Sequence, residues 1–223
     1  VAGDVEIEVS VRHGEKLAKR TWNPRLGIIG GLSILGTTGV VHPFSCSAWI
    51  HAIQRGIDVA RALGIDHIAG ATGSRSEAAV RKLHGLPEEA LIDMGDFVGG
   101  MLKYARAHPV ARVSVAGGFG KMCKLGQGLT DLHSARGEVS FNWLAEQVEA
   151  AGGDAALAES VRGANTAAEA LSLCNAAGLD LAARVAARAL ETAQKVLRDA
   201  PIQPDIVIID REGGIIGRAG ADG

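Results

Sequence analysis

From Arg25 onward the chain alternates two patterns: short apolar runs that end at or beside glycine, and longer segments whose apolar residues recur with helical spacing. A short apolar run bounded by glycine suits a strand buried on both faces. Strands that alternate with helices pair in parallel, because each helix carries the chain back across the sheet. The runs are Leu26–Ile29, His67–Ala71, Ala90–Met94, Val110–Ala116 and Asp205–Ile209. They predict an α/β fold, a Rossmann-like and mostly parallel sheet flanked by helices. Ahead of them Val5, Ile7, Val9 and Val11 alternate with Glu6, Glu8, Ser10 and Arg12, the period of a strand with one wet face. Residues 1–22 are therefore expected to be a partial N-terminal edge strand or the remnant of an N-terminal domain, and residues 23–223 the α/β domain. A strand pattern that begins at once from Val1, with no initiating methionine, suggests a chain that continues upstream.

The helical segments carry their own punctuation. Ser45 can cap a helix that runs to Gly64, and Ser74-Arg75-Ser76-Glu77 has capping-box spacing, with Gly85 and Pro87 closing that helix. Further helices are expected over Phe97–His108 and Ser140–Ala151, and Thr166 to Glu169 repeats the capping-box spacing. Of the 51 residues from Ala150 to Ala200, 18 are alanine, so an alanine-rich helical segment is expected over about 140–200. In its last helix Ala182, Val185, Ala186, Ala189, Ala193 and Val196 form the apolar stripe, with Glu191 and Lys195 spaced to pair.

Composition narrows the function classes. Twenty-three Lys and Arg against 25 Asp and Glu leave no basic excess, which argues against nucleic acid or an anionic membrane as partner. No apolar run reaches the ~18 residues of a membrane span. Cys46, Cys123 and Cys174 share no short spacing, so a disulfide framework and a thiolate metal site are not expected, and the chain reads as cytoplasmic. The seven histidines, His13, His42, His51, His67, His84, His108 and His133, form no local ligand motif, so no protein-bound metal is expected.

Ligands of an open parallel sheet bind beyond the carboxyl ends of its strands. Four loops are candidates there. The first runs from Gly30 to Gly39, with Gly31, Ser33, Gly36, Thr37 and Thr38 between them: glycines for close backbone approach and hydroxyls for hydrogen bonding. It is neither a dinucleotide fingerprint nor a Walker A loop, and an ordinary turn is an equal reading. Ala69 to Arg75 ends on a helix start where Arg75 could meet an anion, and a structural turn is an equal reading. Asp93-Met94-Gly95-Asp96 follows a strand; Asp93 could accept from a ribose, and Asp96 is better read as a helix cap. Gly117-Gly118-Phe119-Gly120-Lys121 leads into a helix with Lys121 and Lys124, either a solvated lysine face or, as the preceding glycines favour, two cations placed for substrate carboxylates. His133 lies in a polar segment with Asp131, Ser134 and Arg136.

Asn23 through Gly39 as a block resembles the signature of the CbiD family, the cobalt-precorrin-5B C1-methyltransferases of anaerobic cobalamin biosynthesis. The other elements follow in that family's order: Gly95-Asp96-Phe97-Val98-Gly99, Gly118-Phe119-Gly120-Lys121 through Leu125, His133-Ser134, and Ala164-Asn165-Thr166 with Glu169-Ala170. The chain departs from the pattern at Asp131-Leu132, where the family usually has Thr before His-Ser, and lacks the family's Thr-Gly-rich amino-terminal portion. The resemblance implies methyl transfer from S-adenosylmethionine to C1 of cobalt-precorrin-5B, a small tetrapyrrole-derived substrate that brings its own cobalt. It implies cofactor contacts from Gly30, Gly31, Ser33, Gly36, Thr37, Thr38, Gly39 and Asp93, substrate contacts from Lys121, Lys124 and Arg75, and a proton role for His133. Two other readings stand beside it. One is an NAD(P)-dependent oxidoreductase, which would normally need the G-x-G-x-x-G turn that is missing here. The other is a non-catalytic assembly module, whose alanine-rich helices could pack against a partner chain or form a homodimer.

Overall fold

The computed structural model describes residues 4–33 and 45–220. Its helices are α1 Gly14–Ala18, α2 Cys46–Ala62, α3 Ser74–His84, α4 Val98–Ala107, α5 Phe119–Gly126, α6 Phe141–Ala150, α7 Ala155–Arg162, α8 Ala167–Ala176 and α9 Leu181–Leu197. The strands are β1 His67–Ala71, β2 Leu91–Asp93, β3 Arg112–Gly118, β4 Gln203–Ile209 and β5 Ile215–Gly220. They form one sheet in the order β2-β1-β3-β4-β5, parallel throughout except for the antiparallel β4/β5 pair. The α/β architecture expected from the alternating runs is thus present, and four of the five runs are its parallel strands. Among the described residues, no helix is long and apolar enough to cross a membrane.

The two faces of the sheet are covered unequally. On one side lies α3, its Val80 packed with Ala69, Ala116 and Val207 from three neighbouring strands. The other side holds the main core, where Ile57, Met101, Leu102, Leu144, Val185 and Ile206 are wholly buried. Here α9 packs on β4, β5, α4 and α5, burying the alanine stripe read from the sequence. Small side chains let this helix come close. Gly217 of β5 shows how close, since a Cβ there would lie 2.8 Å from the carbonyl carbon and oxygen of Ala182.

Several caps follow the expected chemistry. Ser45, Ser140 and Thr166 each accept a hydrogen bond from the backbone N–H three residues on, satisfying a donor that the helix start leaves open. Gly85 ends α3 in the left-handed conformation, at φ 64°.

Other expectations are corrected. The run Leu26–Ile29 is not a strand. Residues Asn23–Leu26 form a 3₁₀ turn that Gly27 ends at φ 72°, and Ile29 is 92% exposed. Turn chemistry from Pro24 and Gly27 outweighs apolar character here. The alternating segment Val5 to Val11 forms no edge strand among the described residues, and Val5, Ile7 and Val9 are 75–80% exposed. Ser74 does not cap α3, whose N-cap is Gly73, and Glu77 turns instead to Arg25. Glu191 pairs with Arg188 rather than Lys195. Strand β5, with three glycines or alanines in six residues, carries no strand pattern that the sequence reading singled out.

Replacing Gly217 with alanine should force β5 away from α9. The expected cost is about 1–3 kcal/mol, the range for overpacking a tight core, read as a lower urea midpoint with unchanged slope.

Candidate active site

The chain passes from β1 through α3 to β2 on one side, then through α4 to β3 on the other side of β1. Strand order therefore reverses between β1 and β3, and the loops leaving their carboxyl ends part in opposite directions. Such a switch point is where open α/β sheets hold ligands. The ladder continues one residue past β1, where the Thr72 N–H donates to Ala116 O at 3.0 Å. Above it opens a cavity of about 650 Å³. Thr72, Gly118, Phe119 and Lys121 line one side, the first turn of α8 at Thr166 to Ala168 a second, and the β4–β5 turn at Asp210 to Glu212 a third.

Lys121 is held at this cavity by one ion pair and one hydrogen bond. Its Nζ lies 2.9 Å from the Asp96 carboxylate and donates to Thr72 O at 3.3 Å. The sequence reading preferred Asp96 as a helix cap, but α4 starts at Val98 with Phe97 before it, and Asp96 serves as the counter-ion of Lys121. Lys124, one turn further along α5, donates to Leu132 O at 3.1 Å and braces the loop that carries His133. His133 is exposed on the turn Ser134–Arg136, with Nδ1 accepting from the Ala135 N–H at 3.2 Å. That contact puts the proton of a neutral ring on Nε2, which makes His133 a donor in this arrangement.

The remaining expected residues lie elsewhere. Arg75 is exposed in the first turn of α3. Gly30, Gly31 and Ser33 follow the turn Asn23–Leu26, where the Asn23 amide donates to Gly31 O at 3.4 Å; Gly36, Thr37, Thr38 and Gly39 lie outside the described residues. That turn is tied to α3 by Arg25, which meets Glu77 through two hydrogen bonds of 2.8 and 3.1 Å and Glu88 through a third of 3.1 Å. Asp93, at the end of β2, borders a small apolar pocket of about 90 Å³ beside Trp22, Arg25 and Ile53. Asp93 thus lines this pocket rather than the Lys121 cavity, while Asp96, three residues on, pairs with Lys121.

Asp210 is the residue that the sequence reading missed. It directly follows the apolar run of β4, a position that could have pointed to it. Its Oδ1 accepts from the N–H groups of Glu212 and Gly214 at 3.0 and 2.7 Å, which fixes a carboxylate at the cavity rim. Cys123 and Cys174 are unsuited to nucleophilic chemistry: both are buried, and burial pushes both thiols up, away from the reactive thiolate, whereas Cys46 at the start of α2 is exposed.

Comparison with known proteins adds to this geometry. The CbiD C-terminal domain family matches residues 131–220 and the CbiD family residues 1–43. A protein of Paramagnetospirillum magneticum named cobalt-precorrin-5B C(1)-methyltransferase is 59% identical over 219 residues, which are 98% of this chain and 61% of that protein. Proteins of the same name from Bradyrhizobium sp. and Brucella abortus are 59% and 56% identical, over 98% and 96% of this chain and 58% of each relative. The chain thus spans about three fifths of the length of the curated relatives it matches. No solved structure matches it.

The Asp93 carboxyl is held above its ordinary value, first by burial, then by the nearby Glu77, with Arg25 opposing. The folded chain therefore binds a proton more tightly at this site than the unfolded chain, whose aspartates titrate near 3.9. Ionising Asp93 costs stability, so its contribution is present below the unfolded value and is lost as pH rises through the folded one. Asp93→Asn should remove that loss. In urea titrations between about pH 3.5 and 7, the variant should gain on the parent protein as pH rises; a constant difference would refute the assignment.

Proposed function

The chain belongs to the CbiD family, and on that footing we propose that it methylates C1 of cobalt-precorrin-5B, giving cobalt-precorrin-6A, with S-adenosylmethionine as the methyl donor. The cobalt is part of the substrate. The donor, when bound, supplies a methyl group already activated by the sulfonium. The work left to the protein is to place and orient the reactants and to exclude water, which together can supply much of a rate enhancement.

The observation that carries the reading is Gly118. Its backbone, at φ −68° and ψ 154°, is open to any residue, and a Cβ there would meet nothing within 4 Å. The fold does not require glycine at this point. A ligand approaching the end of β3 does, since a side chain would stand in the cavity. Gly118 also precedes α5 without offering a side-chain cap, so the first N–H groups of that helix suit a carboxylate, such as those of the donor's amino-acid end or of the macrocycle.

The other groups divide the work by charge. Lys121 presents a cation whose direction Asp96 and Thr72 fix, suited to a substrate carboxylate. Asp210, locked by two backbone donors, is an acceptor for hydroxyl or ammonium groups. Phe119 and Leu171 give the cavity an apolar wall. In this proposal Lys124 acts through the 130–133 loop, and His133 orients the macrocycle by donating a hydrogen bond from its Nε2–H. Gly30, Gly31, Ser33, Gly36, Thr37, Thr38, Gly39 and Asp93 contribute to donor binding, and Arg75 meets substrate carboxylates. The first βα turn, Gly70-Ala71-Thr72-Gly73, lacks the dinucleotide spacing, so the oxidoreductase reading gains nothing from the fold.

Incubation of the protein with cobalt-precorrin-5B and isotopically labelled S-adenosylmethionine should give a product heavier by one labelled methyl, located at C1. An unmodified macrocycle would overturn the proposal. Gly118→Val should cost about 1 kcal/mol of stability, the exchange of a tolerated N-cap for a poor one, yet weaken ligand binding by about tenfold or more, about 1.4 kcal/mol. Unchanged affinity in calorimetry would move the site elsewhere. Lys121→Gln should raise KM for the macrocycle about 10- to 100-fold, the loss of one charge-assisted hydrogen bond.

A further inference from the structure

At the opposite edge of the sheet, three side chains distant in sequence converge under α3. His67 opens β1, His84 closes α3 and Asp205 stands in β4, with Ser114 of β3 beside it. We propose that His67, His84 and Asp205 bind a divalent transition-metal ion of the zinc type, at a site separate from the methyl-transfer cavity and independent of that reading.

The donor set comes first. Two imidazole nitrogens and one carboxylate oxygen form a ligand set that zinc favours, and here all three lie within 4.8 Å of one another. One tetrahedral ion at about 2.0–2.2 Å from each ligand needs donors about 3–4 Å apart. His84 Nε2 is 3.2 Å from Asp205 Oδ2, already at that spacing, and with all three donor atoms within 4.8 Å of one another, side-chain movements of about 1 Å bring His67 to it as well.

The carboxylate is also supported from behind. Ser114 Oγ donates to Asp205 Oδ1 at 2.6 Å, and Arg112 Nε lies 3.6 Å from the same oxygen. Both groups load Oδ1, while Oδ2 faces His84. Outer partners of this kind orient a metal-binding carboxylate, and Arg112, on the far oxygen, moderates the affinity. Because Ser114 gives its proton to Asp205, His67 Nε2 donates to Ser114 Oγ across their 2.7 Å contact. Coordination shifts that ring to its other tautomer, with the proton on Nδ1 and the Nε2 lone pair on the ion.

The setting suits a bound ion. Asp205 is 2% exposed, and the two rings meet edge to face with centroids 4.7 Å apart. All three ligands stand on regular elements, which hold the geometry better than loops. A groove of about 720 Å³ bordered by His67, Arg112 and Pro201 opens beside His67, the side from which a water would come as fourth ligand.

The test is to equilibrate the purified protein with a slight excess of Zn²⁺, remove loose metal by gel filtration, and count zinc by elemental analysis. One zinc per chain is expected, with at least tenfold weaker retention in His84→Gln and in His67→Gln. No retained zinc, or equal retention by the parent and the His67→Gln/His84→Gln double variant, would overturn the proposal. Co²⁺ provides a readout independent of the variants' folding. The parent protein should develop the intense visible absorption of tetrahedral cobalt, and the weak spectrum of six-coordinate aqueous cobalt would count against the site.

Discussion

The parallel register of β1 against β3, from His67 opposite Arg112 to Ala71 opposite Ala116, is the contact on which both ends of the molecule depend. At the carboxyl edge it sets Thr72 beside Gly117, so close that a Cβ on that glycine would lie 3.0 Å from the threonine side chain. Gly118 continues the floor of the cavity without a side chain, and Ile209 and Ile216 of the neighbouring strands join the surrounding helices and turns in lining the cavity. At the amino edge the same register, passed on to β4, puts Ser114 opposite Asp205 and brings His67 to their flank. A slip of one residue would turn all these groups to the other face. Tight packing of α4 opposes such a slip: Gly70 leaves its Cβ space to the sulfurs of Met94 and Met101, both wholly buried.

The parallel strands were legible in the sequence because burial on both faces demands unbroken apolar runs, and His67–Ala71 is recovered with its ends intact. The same rule failed at Leu26–Ile29, where Asn23-Pro24 and Gly27 impose a turn, and it could not see β5, whose small residues are chosen to fit against α9. The alternation of Val5 to Val11 is the reverse case, a strand pattern without a paired strand among the described residues. Periodicity reports what a segment can bury. It does not report whether a surface is there to receive it.

Site residues were legible where one local segment carries the chemistry. Gly118 and Lys121 belong to one glycine-rich turn and lie together at the cavity. Groups whose partners come from remote segments were misread, as with Glu77, whose capping role is lost to Arg25 at 52 residues' distance, and Asp96, drawn off by Lys121. The histidines are the extreme case. His84 and Asp205 are 121 residues apart in sequence, so no spacing motif could join them before the fold was known.

The edges of the sheet carry a consequence for self-association. One edge is β2, only three residues long, and the other is β5, which runs against its neighbour and breaks register at Ile208/Ile209. A short strand and an irregular one are poor templates for a second chain, since few main-chain groups line up to be shared. Any pairing of copies is thereby steered from continuous sheet to contacts between side chains. Such contacts have a sequence-specific fit, and they can saturate at a defined number of subunits instead of growing into fibres.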